Sequence, residues 1–346
     1  MRHLKNPYVG TGLTCPDLAQ APWPSIDKDA ALALLSGCPK AGQTPLINAT
    51  SVASDLGVES VTLKDERSRM GLGSFKALGA AYVIACDAQD GHAAGQTYVT
   101  ASAGNHGLSV AAGAAAFGAK SIVYLSKHVP EAFADRLRSE GAQVERAGET
   151  YEDSMEAAAQ AATQNGDVLL SDSSWPGYYT RPHRLMEGYL ALMSEVFLQI
   201  DHPPTHIFLQ AGVGGLAGAA AAVAREEWGS HVRIVVVEPE EAPALIDSVQ
   251  AGHPVVAKGQ VSLMGRLDCK EPSLIALKGL ARDANDFVTI SEDQGATGAE
   301  YVKRNGWAST PSGAAGVAAA LCADKPTLGL DQTSRVLCIL SEGPET

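Results

Sequence analysis

Thr205-His-Ile-Phe-Leu-Gln-Ala-Gly-Val-Gly-Gly-Leu-Ala-Gly218 carries a short apolar run through a glycine turn directly into the alanine-rich stretch Leu216–Glu227. Strand, tight glycine loop and helix in immediate succession are the building unit of a parallel α/β sheet. The unit recurs on both sides of this stretch. SVTLKD (60–65), QTYVTA (96–101), SIVYLS (121–126), DVLLS (167–171), RIVVVE (233–238), DFVTI (286–290) and RVLCILS (335–341) also read as strands. Their apolar runs are nearly continuous rather than alternating, as strands buried on both faces require. Phe75–Ala88, Leu108–Phe117, Tyr151–Asn165 and Arg184–Ile200 read as the intervening helices. In such a sheet, ligands bind off the carboxyl ends of the strands, so chemistry is expected where strand turns into helix.

The rest of the chain narrows the class. With 346 residues it is long enough for two domains or one large α/β domain. Hydrophobic residues make up 45% and charged residues 19%, which excludes whole-chain disorder. The net charge of −13 repels phosphate backbones and anionic lipid, so neither nucleic acid nor a membrane is an expected partner. No apolar leader precedes Cys15 and no stretch is apolar enough to span a bilayer, so a cytoplasmic protein is expected. The six cysteines, Cys15, Cys38, Cys86, Cys269, Cys322 and Cys338, are scattered without ligand spacing, so reduced thiols and no metal site are expected.

Three loop–helix junctions carry chemistry. Gly212-Val-Gly-Gly-Leu-Ala-Gly218 aims several backbone N–H groups at one spot, an anion cradle suited to phosphate. It also satisfies the dinucleotide pattern G-x-G-x-x-A, with Glu238 ending the next strand where a ribose carboxylate would lie, so an NAD-dependent dehydrogenase competes at this point. A glycine turn that merely packs helix on sheet is the third possibility. The second junction, Lys64 to Gly79, ends in Ser74-Phe75-Lys76, with Ser74 placed to cap a helix and Lys76 in its first turn. The helix dipole there lowers an amine's pKa and favours a nucleophile or base over a solvated cation. The third, Thr100-Ala-Ser-Ala-Gly-Asn-His-Gly107, offers a second nest of donors, suited to a carboxylate, with Asn105 adding a neutral donor. His106 alone reads more readily as a cap or a packed histidine.

Together the three junctions resemble the pyridoxal-phosphate enzymes of the tryptophan-synthase β (fold type II) superfamily. Within it the chain is similar to the diaminopropionate ammonia-lyase group through KDERSRMGLGSFKALGAAY (64–82), Trp175-Pro-Gly-Tyr178, Met186-Glu-Gly-Tyr189, SLMGRLDCKEPS (262–273) and ILSEGPET (339–346). The matches run from about Thr44 to the C-terminus. The resemblance implies two α/β lobes of parallel sheets flanked by helices, with pyridoxal phosphate between them. A small mobile lobe would span 85–182 and a large one 1–84 plus 183–346, in a homodimer. Lys76 would hold the cofactor as a Schiff base and then shuttle protons. Phe75 would pack near the ring, Asn105 would donate to its phenolic oxygen, and Ser341 would face the pyridine nitrogen unless it only ends a strand. Gly212, Val213, Gly214, Gly215 and Leu216 would hold the phosphate, and Ser102, Ala103, Gly104, Asn105 and His106 the substrate carboxylate.

The implied reaction is α,β-elimination from a small β-substituted amino acid, with 2,3-diaminopropionate giving pyruvate and ammonia as the expected substrate. Ser102–His106 looks more like the loop of serine and threonine dehydratases, so that reading stays open beside the dehydrogenase. One departure concerns the base: the resembling lyases carry an aspartate where this chain has Ala103, and keep a second where it has Asp172. Asp172 is therefore expected as a catalytic base with a pKa raised by partial burial, unless it only caps its turn. Arg181, His183 and Arg184 add cations that would suit a second substrate carboxylate, as in a 3-substituted aspartate, if they are not solvated charges.

Overall fold

The computed structural model describes residues 1–344; the last two residues of ILSEGPET lie outside them. Its strands are β1 (His3–Lys5), β2 (Leu46–Asn48), β3 (Ser60–Asp65), β4 (Thr97–Ala101), β5 (Lys120–Leu125) and β6 (Gln143–Arg146). They continue with β7 (Val168–Leu169), β8 (His206–Gln210), β9 (Arg233–Pro239), β10 (Asp286–Ile290) and β11 (Arg335–Leu340). The early helices are α1 (Lys28–Ser36), α2 (Thr50–Leu56), α3 (Lys76–Gln89), α4 (Asn105–Ala116), α5 (Glu131–Ser139), α6 (Tyr151–Asn165) and α7 (Thr180–Gln199). The later ones are α8 (Gly215–Trp228), α9 (Ala244–Ala251), α10 (Leu274–Asp283), α11 (Glu292–Arg304), α12 (Ala315–Cys322) and α13 (Lys325–Leu328). Among these residues no helix is long and apolar enough to cross a membrane.

The strands form a seven-stranded sheet, in the order β1-β10-β9-β8-β11-β3-β2, and a four-stranded sheet, β6-β5-β4-β7. All eight strands expected from apolar runs are present, and every pairing among them is parallel. The two antiparallel pairings involve β1 and β2, three-residue edge strands without an apolar run to betray them. Burial on both faces explains the continuous apolar text. Ile207, Leu209, Ile234, Val236, Leu337 and Ile339 join the core under α7, α8 and α10. Their neighbours Phe208, Val235, Val237, Val336, Cys338 and Leu340 fill the opposite face against α12.

Beneath the loop that leads to Lys76 lies a buried charged cluster. Lys64 Nζ donates to Glu195 Oε2 (2.6 Å), and Arg69 donates through Nη1 to Glu195 Oε1 (2.7 Å) and through Nε to Glu66 Oε2 (2.7 Å). Thr44 Oγ1 closes it by donating to Glu66 Oε1 (2.6 Å). The cluster ties β3 and its following loop to α7, and that loop holds Met70, whose left-handed φ of 53° would otherwise be disfavoured. Burial alone would raise the Glu195 carboxyl, but the Arg69 and Lys64 bonds outweigh it and hold it below the usual range. Its contribution is therefore present at neutral pH and lost as pH falls through that depressed value. Glu195→Ala leaves Lys64 and Arg69 with Glu66 as their one remaining carboxylate in the cluster and is expected to lower unfolding free energy by about 3–5 kcal/mol, read as a drop in the urea midpoint. A loss under about 1 kcal/mol would show that the cluster is hydrated and of little account.

Candidate active site

Five strand ends converge on one cleft. β3 runs through its polar loop into α3, whose first residue is Lys76. β4 ends before Ser102 and α4 starts at Asn105; β8 ends at Gln210 and α8 starts at Gly215. β7 leads to Asp172 and β11 to Ser341 and Glu342. The Lys76 loop is stitched to the last strand end: Phe75 N–H donates to Ser341 O (3.1 Å) and Gly343 N–H to Gly73 O (2.9 Å). Ser74 lies one residue ahead of the cap position, and its Oγ takes the Lys76 N–H at 3.3 Å.

Lys76 Nζ donates to Asp172 Oδ2, closing a short ion pair whose side chains are 20% and 17% exposed. The pair reverses both pKa expectations. Burial favours the neutral form of each group, yet their mutual attraction wins, raising the Lys76 amine and depressing the Asp172 carboxyl. Phe75 packs beside the amine, with Nζ 5.5 Å from its ring centroid, and meets the Tyr189 ring edge-on at 4.9 Å. The Tyr189 hydroxyl is buried. Gly79 admits that tyrosine: a Cβ there would lie 2.6 Å from its ring.

The other junctions present backbone. In the Ser102 loop, Ser102 Oγ accepts from Gly104 N–H (3.2 Å) and the Ala103 carbonyl accepts from Arg266 Nη1 (3.2 Å). Asn105 Nδ2 donates to Glu342 Oε2, and Thr310 Oγ1 donates to Glu342 Oε1. The His106 ring turns inward to the Leu170 carbonyl (2.8 Å), and burial lowers its pKa. What His106 offers a ligand is thus its backbone N–H in the first turn of α4. Around Gly212–Leu216 the chain approaches its neighbours as closely as glycine permits. A Cβ on Gly212 would meet Cys269 Sγ at 2.9 Å, and Gly214 has a φ of 96°. The first N–H groups of α8 open from this turn without intrahelical partners, as a dianion requires.

The motif Trp175-Pro-Gly-Tyr178 sets the Asp172 loop. Trp175 and Tyr178 stack at 4.3 Å, and the Tyr178 hydroxyl donates to Leu169 O (2.8 Å) while accepting from Ser171 N–H (3.1 Å). Two sequence expectations fail here. Arg181 Nη1 pairs with Asp87 Oδ2 (2.9 Å) and Arg184 Nη1 with Asp87 Oδ1 (3.4 Å), beside the Tyr98 hydroxyl. Asp87 lies eleven residues along α3 from Lys76, about 16 Å at the helical rise, so these arginines tie α7 to the far end of α3, away from Lys76. Glu238 is fully buried and accepts from Leu245 N–H (2.7 Å) and Ile246 N–H (2.8 Å), capping α9, which removes the ribose carboxylate that a dehydrogenase needs. Burial pushes this carboxyl up to about 8.

Residues 38–342 match the family described as pyridoxal-phosphate dependent enzyme. The chain belongs to that family. It is 32% identical to a diaminopropionate ammonia-lyase of Salmonella typhimurium over 78% of this chain and 76% of the relative, which places it with that group of pyridoxal-phosphate enzymes. A biosynthetic L-threonine dehydratase of the same organism is 31% identical over 61% of this chain and 39% of its own length. The crystal structure of Escherichia coli diaminopropionate ammonia lyase, in complex with an aminoacrylate-PLP azomethine intermediate, superposes with a TM-score of 0.87 at 28% identity, covering 99% of this chain and 93% of that one.

The side chains present fit pyridoxal phosphate. The glycine cradle before α8 suits its phosphate, and the half-buried Lys76 amine beside Phe75 suits its aldehyde carbon. Sequence reading missed four residues that shape this pyridoxal-phosphate site. Glu342 and Arg266 flank the Ser102 loop, Tyr189 backs Phe75, and Gln210 contacts Ser341. Glu342 follows Ser341 directly, and Arg266 and Tyr189 sit inside the quoted motifs. Only their neighbours in space could mark them.

Proposed function

We propose that this enzyme eliminates ammonia from 2,3-diaminopropionate and, with uptake of one water molecule after the elimination, gives pyruvate and two ammonia molecules. The observation that carries the reading is the Lys76–Asp172 pair in a chain whose relatives include diaminopropionate ammonia-lyases. When bound, pyridoxal phosphate supplies the electron sink that makes the substrate Cα–H acidic and lets the β-substituent leave. Lys76 holds the cofactor and afterwards carries the Cα proton. Asp172 stays ionised beside it, orienting the amine and accepting protons. The N–H groups of Gly212, Val213, Gly214, Gly215 and Leu216 bind the phosphate. Ser102, Ala103, Gly104, Asn105 and His106 present donors to the substrate carboxylate, and Asn105 also reaches the cofactor's phenolic oxygen. Phe75 packs against the ring and Ser341 meets its nitrogen. The lobe of residues 85–182 closes over the cleft to exclude water, in a cytoplasmic homodimer.

A dehydratase acting on serine or threonine is the second reading, favoured by Ala103 in the Ser102 loop and by the threonine dehydratase relative. Release of 2-oxo acid and ammonia from a panel of β-substituted amino acids decides between them. Diaminopropionate should have the highest kcat/KM. Turnover of serine or threonine with none of diaminopropionate would overturn the first reading. A 3-substituted aspartate should be poor, and Arg181→Ala should leave kcat/KM for the best substrate unchanged, since its guanidinium serves Asp87. A large loss confined to diacid substrates in that variant would restore the arginine to substrate binding.

A further inference from the structure

Tyr189 is 2% exposed, and among the described residues its hydroxyl has no hydrogen-bond partner. It lies near enough to Lys76 and Asp172 to feel the charge of both. Buried hydroxyls are nearly always paired, so an idle one beside the cleft points to a group that arrives later.

Three glycines fix where this hydroxyl emerges. A Cβ on Gly188 would lie 2.6 Å from Leu78 O, so α7 approaches α3 as closely as a glycine allows. A Cβ on Gly79 would lie 2.6 Å from Cε1 of the Tyr189 ring, and a Cβ on Gly215 would lie 3.5 Å from Cε2. These two ring carbons flank the one that bears the hydroxyl. Gly79 stands in α3 three residues after Lys76, and Gly215 opens α8 within the glycine cradle. The hydroxyl therefore projects between the lysine and the cradle, with Phe75 holding the ring edge-on.

Nothing at that spot claims the hydroxyl hydrogen. The Lys76 ammonium carries donors only, and Asp172 already answers it. Burial holds the phenol above its ordinary pKa, so at neutral pH the hydroxyl keeps its hydrogen. A cofactor joined to Lys76 at its aldehyde carbon and held by its phosphate at Gly212–Leu216 must run between these two anchors. Its phosphate oxygens are strong acceptors. We propose that Tyr189 is a further cofactor-binding residue, whose hydroxyl donates to the phosphate group of bound pyridoxal phosphate on the Lys76 side of the cradle. This rests on the reading of Gly212–Leu216 as the phosphate loop.

Tyr189→Phe removes the oxygen alone, and the urea midpoint of the cofactor-free full chain should stay level or rise, because an unpaired buried hydroxyl is lost. In holoenzyme the phosphorus NMR resonance of the bound cofactor should move while the Schiff-base absorbance persists. Binding is then compared for 4′-deoxypyridoxine 5′-phosphate and 4′-deoxypyridoxine, which lack the aldehyde and so form no bond to Lys76. In Tyr189→Phe the phosphorylated ligand should lose roughly tenfold to a hundredfold in affinity, the range of one hydrogen bond to a charged group, and the unphosphorylated ligand should lose none. Equal losses for both ligands would put the hydroxyl at the ring instead of the phosphate, and no loss for either would leave it idle; each result overturns the proposal. If wild type binds the phosphorylated ligand no more tightly than the other, the glycine loop is not the phosphate site, and the proposal falls with that reading.

Discussion

Lys76→Ala is expected to abolish elimination, lowering kcat by roughly 10⁴-fold or more, because one side chain both carries the cofactor and moves the proton. The variant should purify folded but without the visible absorbance that wild type owes to its Schiff base. In wild type, hydride reduction followed by peptide mapping should place the cofactor on Lys76. Two other lysines, Lys64 inside β3 and Lys120 at the start of β5, are disfavoured by the structure. Lys64 has no solvent contact and is committed to Glu195, while Lys120 opens β5 at the end of the sheet opposite the cleft. A label on either would remove Lys76 from the proposed role. The variant also frees Asp172 from the cation that depresses it, so that carboxyl should titrate higher than in wild type.

The second large effect is stereochemical. The resemblance read from the sequence implies that the two aspartate positions serve opposite enantiomers, and this chain has Ala103 at one of them. A methyl group accepts no proton, and the Ala103 carbonyl is already engaged by Arg266. Asp172 remains, ionised and paired with Lys76. L-Substrates should therefore react, and D-substrates should be slower by the ~10²–10⁴-fold that a positioned base contributes. Asp172→Asn should reduce L-activity and shift the amine's titration to lower pH, because Lys76 loses the partner that raises it. Ala103→Asp should recover part of the D-activity. Comparable kcat/KM for both enantiomers in wild type would refute the argument. Full L-activity in Asp172→Asn would leave Lys76 as the sole base.

Chemistry that sits next to its own strand was legible in the residues. Lys76, Asn105 and Gly212–Leu216 each follow an apolar run within a few positions, and a glycine or serine loop announces the turn. Strength of interaction was less legible. Helix-start position predicted a lowered Lys76 amine and burial a raised Asp172 carboxyl, and both directions failed because each group's dominant neighbour is the other, 96 residues away. Likewise Arg181 and Arg184 read as cations looking for an anion, and the anion was Asp87 on a neighbouring helix rather than a substrate. Glu238 stood at a ribose-binding distance in sequence, yet the chain after β9 doubles back so that the start of α9 takes both its oxygens.

By itself, the sequence determined eight of the eleven described strands, that most of these are buried on both faces, and which loops offer glycine, lysine or amide to a ligand. Those properties depend on residues a few positions apart, through side-chain periodicity and backbone freedom. Tertiary structure alone decided who meets whom across the cleft. The order β8-β11-β3 lays strands that are distant in sequence side by side. It sets Gln210 against Ser341, across 131 positions, and draws Phe75 to the Ser341 carbonyl. Crossover connections leave such partners unconstrained by sequence distance, so the charge on Lys76 emerges only when the sheets are assembled.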